Sequence, residues 1–202
     1  MNDIGSQLLP FDPDLSKQKV SRPDQGFDKI VTDLSVLEQR SCETSWPEIE
    51  KLSLIPRLMA LLDRGWCPAV GYAAIQIGVP LRMALYVPAR IEYGKSKEPI
   101  VLVNPTITSK RNIKPFHKEG CMSLPDQRQA TWRYDEIVFS HDLANGTRTF
   151  TTVQGFEAAV IQHEVDHMDG ILNLERVKKP VTPGVNDTCS CGSGKKFKRC
   201  CR

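Results

Sequence analysis

The sequence predicts an α+β fold, and three observations carry the prediction. Residues 48–64 put Leu52, Leu54, Ile55, Leu58, Leu61 and Leu62 on one face of a helix. Asn145-Gly146 sits between two strand-like runs, 136–141 and 147–153, and is the dipeptide a tight antiparallel hairpin turn demands. Residues 156–168 then return to helical spacing through Phe156, Ala159, Val160, Ile161, Val165 and Met168, with Gly170 as a stop just past the end. Two further strands are expected at 81–87 and 100–103, and the last helix is expected to pack onto the sheet. No internal repeat interrupts this order.

Composition bounds what such a chain can be. Its 202 residues hold one medium domain plus appendages, and 40% hydrophobic residues are enough for a sizeable core. No stretch reaches the apolar length of a membrane span, and the first residues lack the basic-then-apolar order of a secretory signal. The seven cysteines cluster beside glycines and lysines, which suggests metal binding rather than disulfides and fits a reducing, cytoplasmic setting.

The chemistry concentrates in His163-Glu164-Val165-Asp166-His167. Residues four apart share a helix face, so His163 and His167 point two imidazoles at one metal ion. Glu164 stands beside them, able to take a proton from an activated water and return it to a leaving nitrogen. Three protein ligands leave a fourth position open, and metal coordination brings the pKa of water down to about 7. The third ligand is not in the helix. A His six residues after the second would mark one protease family, but Asn173 occupies that place. A Glu from a later helix would mark another, and Glu175 follows only eight residues on. The upstream candidates are Cys42, Cys67, His117, His141 and Cys121. Cys121 stands out because its neighbour Gly120 leaves the backbone uncrowded.

A third segment, Gly71-Tyr72-Ala73-Ala74-Ile75-Gln76, completes a resemblance. Together with Glu119-Gly120-Cys121-Met122-Ser123 and Gln162 to His167, it resembles peptide deformylase, with the motifs in that family's order. The first motif departs at Ala69, where the family usually has Gly, and the methyl is expected to narrow the substrate cleft. The family's usual opening is also missing, and residues 36–43 stand in its place. The resemblance implies peptide-deformylase-like antiparallel sheets packed around a central motif helix. It implies Cys121, His163 and His167 as metal ligands, Glu164 as general base and then acid, and Gln76 with the backbone N–H of Met122 as oxyanion donors. Gly71, Glu119 and Gly120 are expected against the substrate. The reaction implied is removal of the formyl group from formylated nascent peptides, releasing formate. The cofactor implied is one divalent metal: a Cys-His-His set suits iron(II) and zinc, and the family points to iron(II).

The C-terminus carries a second constellation. Cys189, Cys191, Cys200 and Cys201 form two pairs, eight residues apart, around a glycine-rich turn. Four thiolates can close a tetrahedral structural zinc site, and the spacing resembles the SEC-C motif, a small zinc-knob tail. Lys195, Lys196, Lys198, Arg199 and Arg202 give this tail +5 with no acid; the whole chain is +3, which leaves residues 1–187 at −2. A basic knob draws anionic partners, with the ribosome or an acidic chaperone as the candidates. The expected organisation is an N-terminal extension over 1–35, a catalytic domain over 36–176, a Pro- and Gly-containing linker over 177–188 and the knob over 189–202.

Other residues carry plainer expectations. His117 is read as a surface or loop residue, His141 as a strand end, and Cys42 and Cys67 as structural. Trp46, Trp66 and Trp132 are read as packing, and Asp166 and Arg133 as structural hydrogen-bonding groups. Two other functions remain open: a broader metalloprotease, and an adaptor whose catalytic body is retired.

Overall fold

The helix expected over 48–64 is two helices. The structure is a computed structural model that describes residues 28–62, 69–88, 99–179, 184–188 and 194–199. After a short α1 (Leu34–Leu37), α2 spans Trp46–Lys51 and α3 spans Leu54–Leu62, with Ser53 between them at a left-handed φ of 50°. Pro56 is the cause: its ring would strike the carbonyl of Leu52 in a continuous helix. Placed in the first turn of α3, it costs nothing. Most of the expected apolar face survives the break: Leu54, Ile55, Leu58 and Leu61 are buried, whereas Leu52, the C-cap of α2, is exposed.

Two antiparallel sheets follow. The first orders β1 (Gly71–Ala73), β2 (Met83–Tyr86) and β3 (Ile100–Val103) as β1-β2-β3. The second orders β4 (Thr106–Cys121), β5 (Leu124–Asp142) and β6 (Arg148–Gln154) as β4-β5-β6. The expected hairpin at Asn145-Gly146 joins β5 to β6, with Gly146 at φ 79°. The long β4–β5 hairpin and the short β1 are unexpected from the sequence.

Helix α4 (Gly155–Met168) lies between the sheets. Its Ala158, Val160, Ile161, Val165 and Met168 share one core with Ala84, Tyr86 and Leu102 of the first sheet and Ile137, Phe139 and Val153 of the second. The opposite face of the first sheet is covered by α2 and α3, so Met83, Leu85 and Val103 enter a second core. With both faces covered, strict two-residue alternation no longer shows as polar against apolar, and all four residues of β2 are buried. The helix ends at Gly170 as expected, at φ 73°. A Cβ there would also collide with the backbone carbonyl of Glu38, so glycine is required twice over.

Residues 28–33, assigned above to an N-terminal extension, run along the body. Val31 N–H donates to Gln76 O at 2.8 Å, and Asp28 pairs with Arg57 at 2.8 Å. Cys42 has an exposed side chain; its backbone N–H and carbonyl bond Pro80 and Arg82. Trp46 donates its indole N–H to Asp142 O at 3.2 Å, and Trp132 lies under the Lys179 ammonium at 5.1 Å. Cys67, Trp66, and the tail cysteines Cys189, Cys191, Cys200 and Cys201 lie outside the described residues.

Candidate metal centre

Two elements meet to form the site. Strand β4 ends at Cys121, which pairs with Leu124 across a two-residue turn, so the thiol is held at a sharp reversal rather than along a flat edge. Just before it, register shifts at 116/119 and 120/121 and a φ of 62° at Lys118 mark bulges that re-aim the strand. Helix α4 brings His163 and His167, whose rings meet edge-on with centroids 4.8 Å apart. One donor atom from each of Cys121, His163 and His167 lies within 4.8 Å of the others, and Cys121 Sγ is 3.2 Å from His167 Nε2. A sulfur and two imidazole nitrogens converging at this spacing suit a tetrahedral ion with one position left over. Of the upstream candidates for a third ligand among the described residues, Cys42, His117, His141 and Cys121, only Cys121 is in this cluster.

The buried groups around the cluster are tied to one another. His163 Nδ1 is 2.7 Å from Glu119 Oε1, which leaves Nε2 for the cluster. Glu119 Oε1 also accepts from Arg133 Nη2 at 2.6 Å, while Oε2 accepts from Arg133 Nε at 2.8 Å and Thr131 Oγ1 at 2.6 Å. Burial raises the Glu119 pKa, but the Arg133 and His163 bonds and charges outweigh it and hold the carboxyl well below its usual range. An ionised Glu119 makes His163 Nδ1 the donor and sets the tautomer. The far side of Arg133 donates to Asp166 Oδ2, which also accepts from Arg176 Nε at 2.9 Å; Arg176 Nη2 donates to Asp166 Oδ1 at 2.6 Å. Arg133 and Asp166 are thus the structural groups expected, and Arg176 and Thr131 were not foreseen. Thr131 and Arg133 share one face of β5, but only the hairpin register brings that face to Glu119.

Glu119, expected against the substrate, borders the cavity. Both of its oxygens are occupied within the protein, and its contact with the site runs through His163. Gly71, also expected against the substrate, borders the cavity, and a Cβ there would collide with the Glu164 carboxylate, so the residue makes room for Glu164. Gly120, opposite Arg128 in the hairpin, is exposed on the cavity wall.

Glu164 is 2% exposed, and its Oε2 has no hydrogen-bond partner among the described residues. Burial pushes its pKa up to about 7, with the Glu119 charge adding and the His163 and Arg133 charges opposing. Gln76 follows β1 in a 3₁₀ turn, Ala74–Ile77. Its Oε1 accepts from Ala73 N–H at 3.0 Å, so its Nε2 faces the cluster, 3.2 Å from Ser123 Oγ and 3.8 Å from Cys121 Sγ. The cavity these groups border has a volume of about 340 Å³. Val70, Met122, Phe116, Phe156, Ala159 and Val160 form its apolar wall, and Ala69 stands on the same wall.

The remaining candidates are elsewhere. His117 is exposed on the rim of the cavity. His141 is buried near the end of β5, stacked on Phe139. Asn173 is buried in the 3₁₀ turn Asn173–Arg176 and is not in the donor cluster.

Comparison with known proteins agrees with this geometry. The sequence profile of polypeptide deformylase matches residues 28–182, and that of the SEC-C motif matches residues 186–202. A peptide deformylase of Pelagibacter ubique is 39% identical over 112 residues, which is 55% of this chain and 64% of the relative, so the aligned segment spans a little under two thirds of that protein. A peptide deformylase of Agrobacterium fabrum is 34% identical over 150 residues, 74% of this chain and 86% of the relative. Among solved structures, the Met-Ala-Ser-bound class I type b peptide deformylase of Acinetobacter baumannii superposes with a TM-score of 0.63 at 28% identity, covering 74% of this chain and 97% of that one. With its profile matched from residue 28 to residue 182, the chain belongs to the polypeptide deformylase family.

Proposed function

We propose that the chain is a metal-dependent peptide deformylase, which removes the formyl group from formyl-methionyl nascent polypeptides and releases formate. The observation that carries this reading is the convergence of Cys121, His163 and His167 beside a buried Glu164 with one unpartnered oxygen. A bound divalent ion supplies a Lewis acid for the formyl oxygen and lowers the pKa of the attacking water. Glu164, with a pKa near neutrality, takes the proton of that water and delivers it to the departing amine. Gln76 Nε2, locked by the Ala73 bond, and the backbone N–H of Met122 donate to the oxygen that gains charge. Glu119 holds the His163 ring in place. The apolar wall takes the methionine side chain, in keeping with the Met-Ala-Ser bound by the Acinetobacter relative. Gly71 and Gly120 flank the path of the peptide backbone.

The donor set fits iron(II) and zinc alike, and iron(II) is proposed as the working ion. The tail is proposed to hold a separate structural zinc through Cys189, Cys191, Cys200 and Cys201. In support, Thr188 bridges to Lys196, Phe197 N–H donates to Asp187 O at 2.8 Å, and Lys198 N–H donates to Val185 O at 3.0 Å, which draws the two arms together. The basic knob is proposed to bring the enzyme to the ribosome, with an acidic chaperone as the rival, in the cytoplasm. Among the described residues no helix is long and apolar enough to cross a membrane.

Formate release from formyl-Met-Ala-Ser tests the activity. Glu164→Ala should keep its metal and lose turnover by about 100-fold or more, whereas Cys121→Ser should lose both. A Glu164→Ala enzyme with near-normal turnover refutes the mechanism. Peptide-bond cleavage without formate points to the metalloprotease instead, and metal binding without either reaction points to the adaptor.

A further inference from the structure

Among the described residues, the exposed charges at the mouth of the cavity are of one sign. Five ionisable side chains besides the metal-binding set border it: His117, Lys118, Glu119, Arg128 and Glu164. The two acids are 5% and 2% exposed, and the Glu119 carboxylate is bonded to Arg133, Thr131 and His163. The three basic residues are all exposed. Among the described residues neither Lys118 nor Arg128 has an acidic partner. Asp126, the acid nearest to Arg128 in sequence, does not border the cavity. Their placement is built into the hairpin. Lys118 occupies the bulge between Phe116 and Glu119 at φ 62°, and Arg128 lies opposite Gly120, where no side chain intervenes and its guanidinium carbon comes within 3.6 Å of the space a Cβ would fill.

We propose that Lys118 and Arg128 are specificity-determining residues that favour formylated peptides with Asp or Glu at the second or third position. The proposal rests on the deformylase reading above. A formyl group at the donor cluster with methionine against the apolar wall sends the following residues outward. Lys118 and Arg128 stand one to three strand steps from Cys121, roughly 3–10 Å along the hairpin, which is the span of the next two peptide residues. Two cations flanking one path with no competing acid among the described residues attract a carboxylate there and repel an ammonium. Each such exposed pair is modest, on the order of threefold in affinity, and is screened by salt. Because these charges touch neither the formyl carbon nor the leaving nitrogen, they act on ground and transition states alike and change KM rather than kcat.

The test uses the full-length, metal-loaded enzyme and C-terminally amidated peptides, so that the peptide's own carboxylate does not intrude. Formyl-Met-Ala-Ser is compared with peptides carrying Glu or Lys at position two or three. The expected result is kcat/KM about threefold above the neutral peptide for Glu and about threefold below it for Lys, carried by KM and fading as the ionic strength rises through the screening range. The double variant Lys118→Glu/Arg128→Glu should invert that order while cleaving the neutral peptide at close to the normal rate, which also shows that it is folded. Equal kcat/KM for the Glu and Lys peptides, or a preference untouched by the double reversal, overturns this proposal and leaves the deformylase reading standing. Formate from none of the peptides overturns both.

Discussion

Arg133→Met is the perturbation that tests how His163, a proposed metal ligand, is held. Arg133 is 4% exposed and bridges Glu119 to Asp166. Methionine keeps much of its length and apolar stem but no charge. Glu119 would retain only Thr131 at 2.6 Å and His163 at 2.7 Å, and Asp166 would retain Arg176. Breaking a buried pair from one side costs about 3–5 kcal/mol. The lower end applies because each carboxylate keeps another partner, so a loss of about 3 kcal/mol is expected. With Glu119 less firmly held, the His163 ring is oriented less well, and a roughly 10- to 100-fold loss of metal affinity follows. The assays are urea denaturation of chelator-treated protein and competition for the metal against a chelating indicator. The pH dependence has a definite sign. A carboxylate held below its usual pKa stabilises the fold above its unfolded value and loses that contribution as the pH falls toward the folded value. In Arg133→Met the folded-state pKa of Glu119 rises toward the unfolded value, so the acid loss that this group carries should shrink. Arg133→Lys should fall between the two, since one ammonium cannot span both carboxylates as the guanidinium fork does. A stability change below about 1 kcal/mol with unchanged metal affinity would refute the reasoning.

Three other perturbations separate the remaining parts of the molecule. Gly71→Ala should displace Glu164 and lower kcat by about 100-fold or more with the metal retained; a normal kcat in the formate assay would show that Glu164 yields without cost. His141 has its pKa lowered by burial, with Asp142 opposing and Arg148 assisting, so the folded state resists its protonation and stability falls as the pH drops below about 6.5. His141→Leu should flatten that acid slope in urea melts taken between neutral and mildly acid pH, and an unchanged slope would assign it to other groups. Truncation at Thr188 should reduce bound metal from about two equivalents to one and leave turnover of formyl-Met-Ala-Ser nearly unchanged; loss of tripeptide turnover would mean that the tail belongs to the catalytic fold.

How much of this was legible in the chain differs by element. The turn at Asn145-Gly146, the helix ending at Gly170 and the histidine pair one turn apart are local properties, set by φ preferences and by a period of 3.6 residues. The family could be named before any coordinates from the resemblance of the three motifs, and that resemblance implied the donor cluster of Cys121, His163 and His167 that the fold brings together. Other features were not local. The break at Ser53 was foreseeable from Pro56, yet the run of leucines masked it. The β4–β5 hairpin escaped because its strands are half exposed and bulged, so neither strict alternation nor an apolar run marks them.

The sequence by itself determined the types of the proposed ligands, the helix that presents two of them and the tail's four cysteines. Only the tertiary structure decided what each neighbour does. Glu119 reaches His163 because the hairpin register turns it inward toward Arg133, 14 residues away along the chain. Gly71 makes room for Glu164 because β1 crosses α4 there. Arg176 joins the network only because the chain folds back beneath Asp166. A side chain's chemistry is carried by its own atoms, whereas its partner is fixed by register and packing between segments distant in sequence, and no local pattern encodes those.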